Sequence, residues 1–341
     1  MRLKIPMPFS FVLGRQKQLR KKILKAMPSV PLLEPARPKK APSARPVRPQ
    51  LQEITGFGTN PGHLRMREYV PPKATRGAPL VVVLHGCLQT ADEFDKGSGW
   101  SSLARQSGFV LLYPEQRKSN NSNLCFNWFR PSAVARDRGE LMSIRQMIDH
   151  ACETHHIDRR RIYVQGLSAG GAMASALLAT YPDLFAAGQI VAGLPFGAAR
   201  DAMSALSVMK SGANRSPSEW GDLVRGVSPE IKRRPLVSIW QGTGDRIVSP
   251  ANARAILSQW LNVYGLDEET GKAVSIKGHE ARVWHDEKGR PLVEFCLIDG
   301  LGHGLPIASR RSTAAKAGSP YMLEGTLSAP AHLAGIVRAA R

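Results

Sequence analysis

The chain alternates between short apolar runs and longer segments in which apolar residues recur every three to four positions. HLRMREYV, residues 63–70, alternates apolar and polar positions, which predicts a strand with one exposed face. PLVVVLHG (79–86) holds three consecutive valines and reads as a strand buried on both faces. A helix is expected from Thr90 or Asp92 through Gln106, followed by the buried strand GFVLLYP (108–114). GELMSIRQMIDHACETHH (139–156) places Leu141, Ile144, Met147, Ile148 and Cys152 at helical spacing. Strand RIYVQG, helix GAMASALLATY and strand AAGQIVAG follow. PLVSIWQG, the helix NARAILSQWLNVYG, the strand VEFCLID and a closing helix in SAPAHLAGIVRAAR complete the pattern. Strands alternating with helices predict an α/β fold with a mostly parallel central sheet flanked by helices on both faces. In such sheets ligands bind at the carboxyl ends of the strands, so chemistry is sought just after each apolar run.

Composition changes the picture at one end only. The formal charge is +20, but residues 1–50 carry +12 of it and the remaining 291 residues only +8. Residues 1–51 therefore read as a basic, Pro-rich N-terminal tail, largely disordered, and residues 52–341 as the folded domain. Within the tail QKQLRKKILKAM aligns Leu19, Ile23, Leu24 and Met27 on one face of a short basic helix, suited to an anionic surface. No clear signal peptide is found, since Pro6 and Pro8 interrupt the short apolar stretch FSFVLG. No run is long and apolar enough for a transmembrane helix. The four cysteines are too few and scattered for a disulfide scaffold or zinc site, and no metal or organic cofactor is expected. Nor is a nucleic-acid partner.

Three strand ends carry chemistry. Gly166-Leu167-Ser168-Ala169-Gly170 is a G-x-S-x-G between a strand and a helix, where a strained turn exposes a nucleophilic serine. A phosphate loop is the other use of such glycines, but neither G-x-G-x-x-G nor a Lys-Ser/Thr ending is present. Asp245, in Gly242-Thr243-Gly244-Asp245, is the candidate acid that orients an imidazole. Asp299 also ends a strand, but it stands only four residues before the candidate histidine. That histidine is His303, in Gly300-Leu301-Gly302-His303-Gly304; His155 and His156 read instead as surface residues. The order Ser168, Asp245, His303 is that of the α/β-hydrolases. Ala169 N–H and Cys87 N–H, the latter in His85-Gly86-Cys87-Leu88-Gln89, are the expected oxyanion donors.

The blocks LHGCLQTADEFDKGSGWSSLARQSGFVLLYPEQ, CFNWF, VQGLSAGGAMASALLATYPDLFAAGQIVAGLPFG, TNPGHLRMREYVP and SIWQGTGDRIVSP together resemble the poly(3-hydroxybutyrate) depolymerase family of esterases, across roughly residues 52–305. The resemblance implies an α/β-hydrolase fold with Ser168 as nucleophile, Asp245 as acid and His303 as base. It also implies a serine esterase acting on short hydroxyacyl esters or on 3-hydroxybutyrate polymer and oligomers. A feruloyl or acetyl-xylan type of esterase is the neighbouring alternative, and a non-catalytic binding protein tethered to a granule or other anionic surface by its tail the more distant one. It further implies that Cys87 lies beside the oxyanion hole with Cys125 as its candidate bridging partner, a bridge that would suit an extracellular or periplasmic location. Unpaired, the two would be small buried residues, and a cytoplasmic location stays open. The chain departs from relatives in having Gln241 where they tend to have histidine and Leu305 where tryptophan is frequent. The thirty-eight residues after His303 are too few for a separate polymer-binding domain. Trp100, Trp128 and Trp240 are candidates to line the acyl pocket, with Trp128, Asn127 and Gln89 singled out for substrate binding. Residues 198–234, between two strands, are expected to form a cap.

Overall fold

A computed structural model describes residues 50–308 and 321–340, all within one structural unit, Arg48–Arg341. The expected tail helix and linker lie outside the described residues.

Strand β3 (Leu80–Leu84) shows why the valine run sits at the centre. Val81 and Val83 point to one face of the sheet and Val82 and Leu84 to the other, and all four are fully buried. Its parallel neighbours are β4 (Val110–Glu115) and β5 (Ile162–Leu167). From β5 the parallel ladder continues through β6 (Ala187–Val191), β7 (Leu236–Gly242) and β10 (Pro291–Ile298). Antiparallel strands finish both edges. β1 (Gln52–Ile54) and β2 (Arg65–Tyr69) lie beyond β4, and the hairpin β8 (Lys272–Ile276) and β9 (His279–His285) lies beyond β10. The order is β1-β2-β4-β3-β5-β6-β7-β10-β9-β8, so the expected mostly parallel sheet is present. A small separate ladder pairs β11 (Leu305–Ala308) with β12 (Met322–Gly325).

Helices cover both faces. The helix expected through Gln106 is two helices, α1 (Ala91–Ser98) and α2 (Trp100–Ser107), because Gly99 adopts φ 77° and turns the chain between them. Both lie with α9 (Ala329–Ala339) over the face carrying Val81 and Val83. The opposite face is packed by α4 (Gly139–Thr154), α5 (Ala169–Thr180) and α8 (Ala251–Tyr264), following the short α3 (Pro131–Val134). Leu141, Ile144, Met147 and Ile148 of α4 are fully buried, as their spacing predicts.

Segment 198–234 folds as α6 (Ala202–Ser211) and α7 (Pro217–Arg225), both packed against α8. Two bonds tie α6 to the stretch after Asp245: Ser249 N–H donates to the Met209 carbonyl (2.8 Å) and Asn252 Nδ2 to the Val208 carbonyl (2.9 Å).

Candidate active site

The turn after β5 is built from close backbone approaches. A Cβ on Gly166 would collide with the Gly170 carbonyl, and one on Gly170 with the carbonyls of Leu84 and His85. Only glycine lets the strand, the turn and α5 come together at this separation. Between them Ser168 is held at φ 56°, ψ −117°, a conformation a non-glycine residue occupies only under constraint. Its amide donates to the Val191 carbonyl (2.9 Å), which helps to hold the turn in place.

The three residues chosen from different strand ends meet. Ser168 Oγ–H points to His303 Nε2 at 3.0 Å, and His303 Nδ1–H donates to Asp245 Oδ2 at 2.7 Å. Asp245 is buried. Its Oδ1 accepts the amides of Ile247 and Val248, both at 2.8 Å, and its Oδ2 also accepts Gln241 Nε2 at 2.9 Å. Burial pushes this carboxyl up, but the His303 bond and charge together with the two amides outweigh burial and leave it below its ordinary value. Asp299, the other acid considered, does not reach His303; it accepts Thr243 Oγ1 (3.0 Å). Gly300 N–H in turn donates to Thr243 Oγ1 (2.8 Å), which fastens the histidine loop to the acid loop. Tyr321 packs edge-on to the His303 ring, centroids 5.7 Å apart.

The loop after β3 lies directly against the nucleophile: a Cβ on Gly86 would stand 3.6 Å from Ser168 Cβ. Ala169 opens α5, so its amide has no acceptor within the helix, and Cys87 stands in the adjoining loop. The disulfide implied by the resemblance is present, joining Cys87 and Cys125 across 38 residues. Leu88 N–H donates to the Asn123 carbonyl (2.7 Å), a second tie between the same two loops.

The substrate-binding expectations fare differently. Trp100 and Trp240 are fully buried and bonded inside the fold, Trp100 to Gln165 Oε1 (2.7 Å) and Trp240 to Ser238 Oγ (2.9 Å). They are core residues, and the expectation that they line a pocket is corrected. Trp128 is buried, edge-on to Phe129 and part of the main core cluster. Asn127 gives its amide and its Nδ2 to Glu140, at 2.8 and 2.6 Å, and Gln116 Nε2 reaches the same carboxylate (2.7 Å). Gln89 Oε1 accepts Gly86 N–H (2.9 Å). These polar groups thus bind the protein's own loops. The sequence reading missed His85, Thr243 and the contact of Gln241 with the acid; proximity to strand ends was the only signal available for them.

Residues 64–282 match the family model described as Esterase PHB depolymerase, a stretch that contains Ser168 and Asp245 and stops before His303. Poly(3-hydroxyalkanoate) depolymerase C of Paucimonas lemoignei is 43% identical over 258 residues, which are 75% of this chain and 62% of that protein. Feruloyl esterase B of Thermothelomyces thermophilus is 33% identical over 74% of this chain and 88% of that protein. Among solved structures, the acetyl xylan esterase from Aspergillus awamori aligns with a TM-score of 0.69 and 26% identity, covering 74% of this chain and 94% of that one. The fold is the α/β-hydrolase fold.

Proposed function

Given that the chain belongs to the Esterase PHB depolymerase family, whose named relatives are carboxylic ester hydrolases, we propose that Ser168, His303 and Asp245 carry ester hydrolysis through an acyl-enzyme. Ser168 Oγ attacks the ester carbonyl while His303 Nε2 takes its proton. The Ala169 and Cys87 amides donate hydrogen bonds to the developing oxyanion. His303 returns the proton to the departing alcohol, and a water activated by the same imidazole then releases the acid. Asp245 holds the imidazole with Nδ1 protonated and stabilises its positive charge. The observation that carries this reading is the unbroken chain of hydrogen bonds Ser168–His303–Asp245, at 3.0 and 2.7 Å.

The substrate is an ester of a short hydroxyacyl unit or an oligomer of 3-hydroxybutyrate. Aromatic and acetyl-sugar esters form the second reading. It rests on the similarity to a protein named feruloyl esterase B, 33% identical, and to an acetyl xylan esterase, 26% identical. No helix among the described residues is long and apolar enough to cross a membrane. The disulfide fits an oxidising, extracellular or periplasmic setting. The N-terminal tail would tether the enzyme to an anionic surface.

The test compares 3-hydroxybutyrate release from an amorphous polymer suspension with cleavage of methyl ferulate, acetylated xylan and a chromogenic butyrate ester. Ser168→Ala is expected to lower every positive rate by more than about 10⁴-fold. Cleavage of the aromatic or sugar ester without polymer release selects the second reading. Unchanged rates in Ser168→Ala would overturn Ser168 as the nucleophile, and a wild type that cleaves none of these esters would return the chain to the class of binding proteins.

A further inference from the structure

We infer that His85 is a positioning residue for the oxyanion hole, acting through the peptide bond between Gly86 and Cys87. The inference rests on the proposed roles of Ser168 and of the Cys87 amide. His85 follows β3 directly and is buried, with Nδ1 2.8 Å from the Gly86 carbonyl oxygen and Nε2 3.1 Å from Gln116 N. The Gln116 amide can only donate, so Nε2 must offer its lone pair. Nδ1 therefore carries the proton and donates it to the Gly86 carbonyl. Burial pushes the imidazole's pKa down and keeps the ring neutral, and the two hydrogen bonds select this tautomer.

The Gly86 carbonyl and the Cys87 N–H belong to one planar, trans peptide unit. Fixing the direction of the C=O fixes the N–H, which points the opposite way. A hydrogen bond to the carbonyl thus sets the aim of the proposed oxyanion donor without touching substrate. The bond also polarises the amide and makes its N–H a better donor.

The imidazole is itself braced. Its ring packs at 4.9 Å, centroid to centroid, on Phe126, the neighbour of the bridged Cys125. Gln116 is anchored by Glu140, whose carboxylate also holds Asn127. A continuous buried network therefore runs from the start of α4 to the oxyanion loop. Its hydrogen bonds involve no atom of Ser168, His303 or Asp245, so its effect is separable from that of the triad.

The experiment measures kcat and KM for a chromogenic butyrate ester with the wild type, Ser168→Ala, His85→Gln and His85→Asn. Glutamine can keep an acceptor for the Gln116 amide but loses the Nδ1 donor; asparagine can return a donor near the Nδ1 position. His85→Gln is expected to lower kcat 10- to 100-fold with KM within twofold, and to weaken inhibition by an alkylboronic acid, a tetrahedral mimic, by a similar factor. His85→Asn is expected to recover at least part of both. A merely structural role would lower the melting temperature of both variants without this split. Nitrogen-15 NMR of the histidine rings supplies a readout independent of turnover, and His85 is expected to show Nδ1–H. If His85→Gln folds and keeps kcat within twofold in an enzyme that Ser168→Ala silences, only this inference falls. If the wild type cleaves no ester, both readings fall. A His85 ring protonated at Nε2 overturns the inference whatever the kinetics.

Discussion

The Cys87–Cys125 bridge closes a loop of 38 residues, and its removal has a calculable consequence. Loop-closure entropy for that length amounts to about 4 kcal/mol at 25 °C, taken from the unfolded chain's loss of freedom. A domain of this size unfolds with an entropy of roughly 0.6 kcal/mol per kelvin, so Cys87→Ala/Cys125→Ala should melt about 6–7 °C below the wild type. Reduction with dithiothreitol should reproduce the shift. Chemistry provides a control in the same sample. Burial pushes the Cys152 thiol up to about 11 and the Cys296 thiol to about 12, so neither forms thiolate near pH 8. Cys87 and Cys125 are only half-buried. Reduction followed by iodoacetamide at pH 8 should therefore add two labels in native protein and four in urea, read by mass spectrometry. Turnover should fall less than in His85→Gln, because the Gly86 carbonyl remains held when the bridge opens. A melting temperature within 1 °C of the wild type would refute the entropic estimate, and four labels in native protein would refute the assigned burial.

Asp245→Asn should lower kcat by about 10⁴-fold at neutral pH, because the amide cannot hold the His303 tautomer that leaves Nε2 as the base; steady-state kinetics on the butyrate ester checks this. Because the folded Asp245 carboxyl lies below its ordinary value of 3.8, it adds stability above that value and loses it as pH falls through the folded one. The stability gap between wild type and Asp245→Asn in urea should narrow from pH 7 to pH 3, and a constant gap would contradict the shift. Gly170→Ala should abolish soluble expression or cost several kcal/mol, since the new Cβ meets backbone carbonyls that have no room to yield. Asp95→Ala should cost about 2–3 kcal/mol in denaturant unfolding by stranding the Tyr113 hydroxyl and the Ser101 amide, which it accepts at 2.6 and 2.8 Å.

The features legible in the sequence are those with local causes. Runs such as the three valines of β3 announce a doubly covered strand, and the glycines around Ser168 announce a turn too tight for side chains. The positions that misled depend on partners far away in the chain. Trp100, expected near the acyl pocket, turns inward instead to reach Gln165, 65 residues on. The antiparallel β8–β9 hairpin is more exposed than the central strands and lacks their continuous apolar run. Trp240 and Asn127 looked available for substrate because strand ends and loops are where ligands bind. Their polar atoms meet Ser238 and Glu140, and no spacing in the sequence reveals such pairings.

The same distinction explains how the site keeps its shape. Each candidate catalytic group sits on a loop, yet each loop is tied to a neighbour by bonds that exclude the triad's own. Ser168 is fixed by its amide on Val191, the histidine loop by Thr243, and the oxyanion loop by His85, Gln89 and a disulfide. Asp245 takes four donors, of which only one comes from His303. In the proposed mechanism an acid so supplied would stay ionised and oriented while the imidazole gains and loses its proton, leaving little reorganisation for the moment of reaction. Gln241 is part of that arrangement: as a donor without a titratable proton, it holds the carboxylate without adding an ionisation of its own. Gln241→Leu would remove one donor from a buried carboxylate while leaving His303 in reach. It should therefore reduce kcat far less than Asp245→Asn, by about 10-fold. A loss as large as that of Asp245→Asn would mean that Gln241 and Asp245 act as a single unit, and that the acid's orientation depends on the strand end as much as on its own loop.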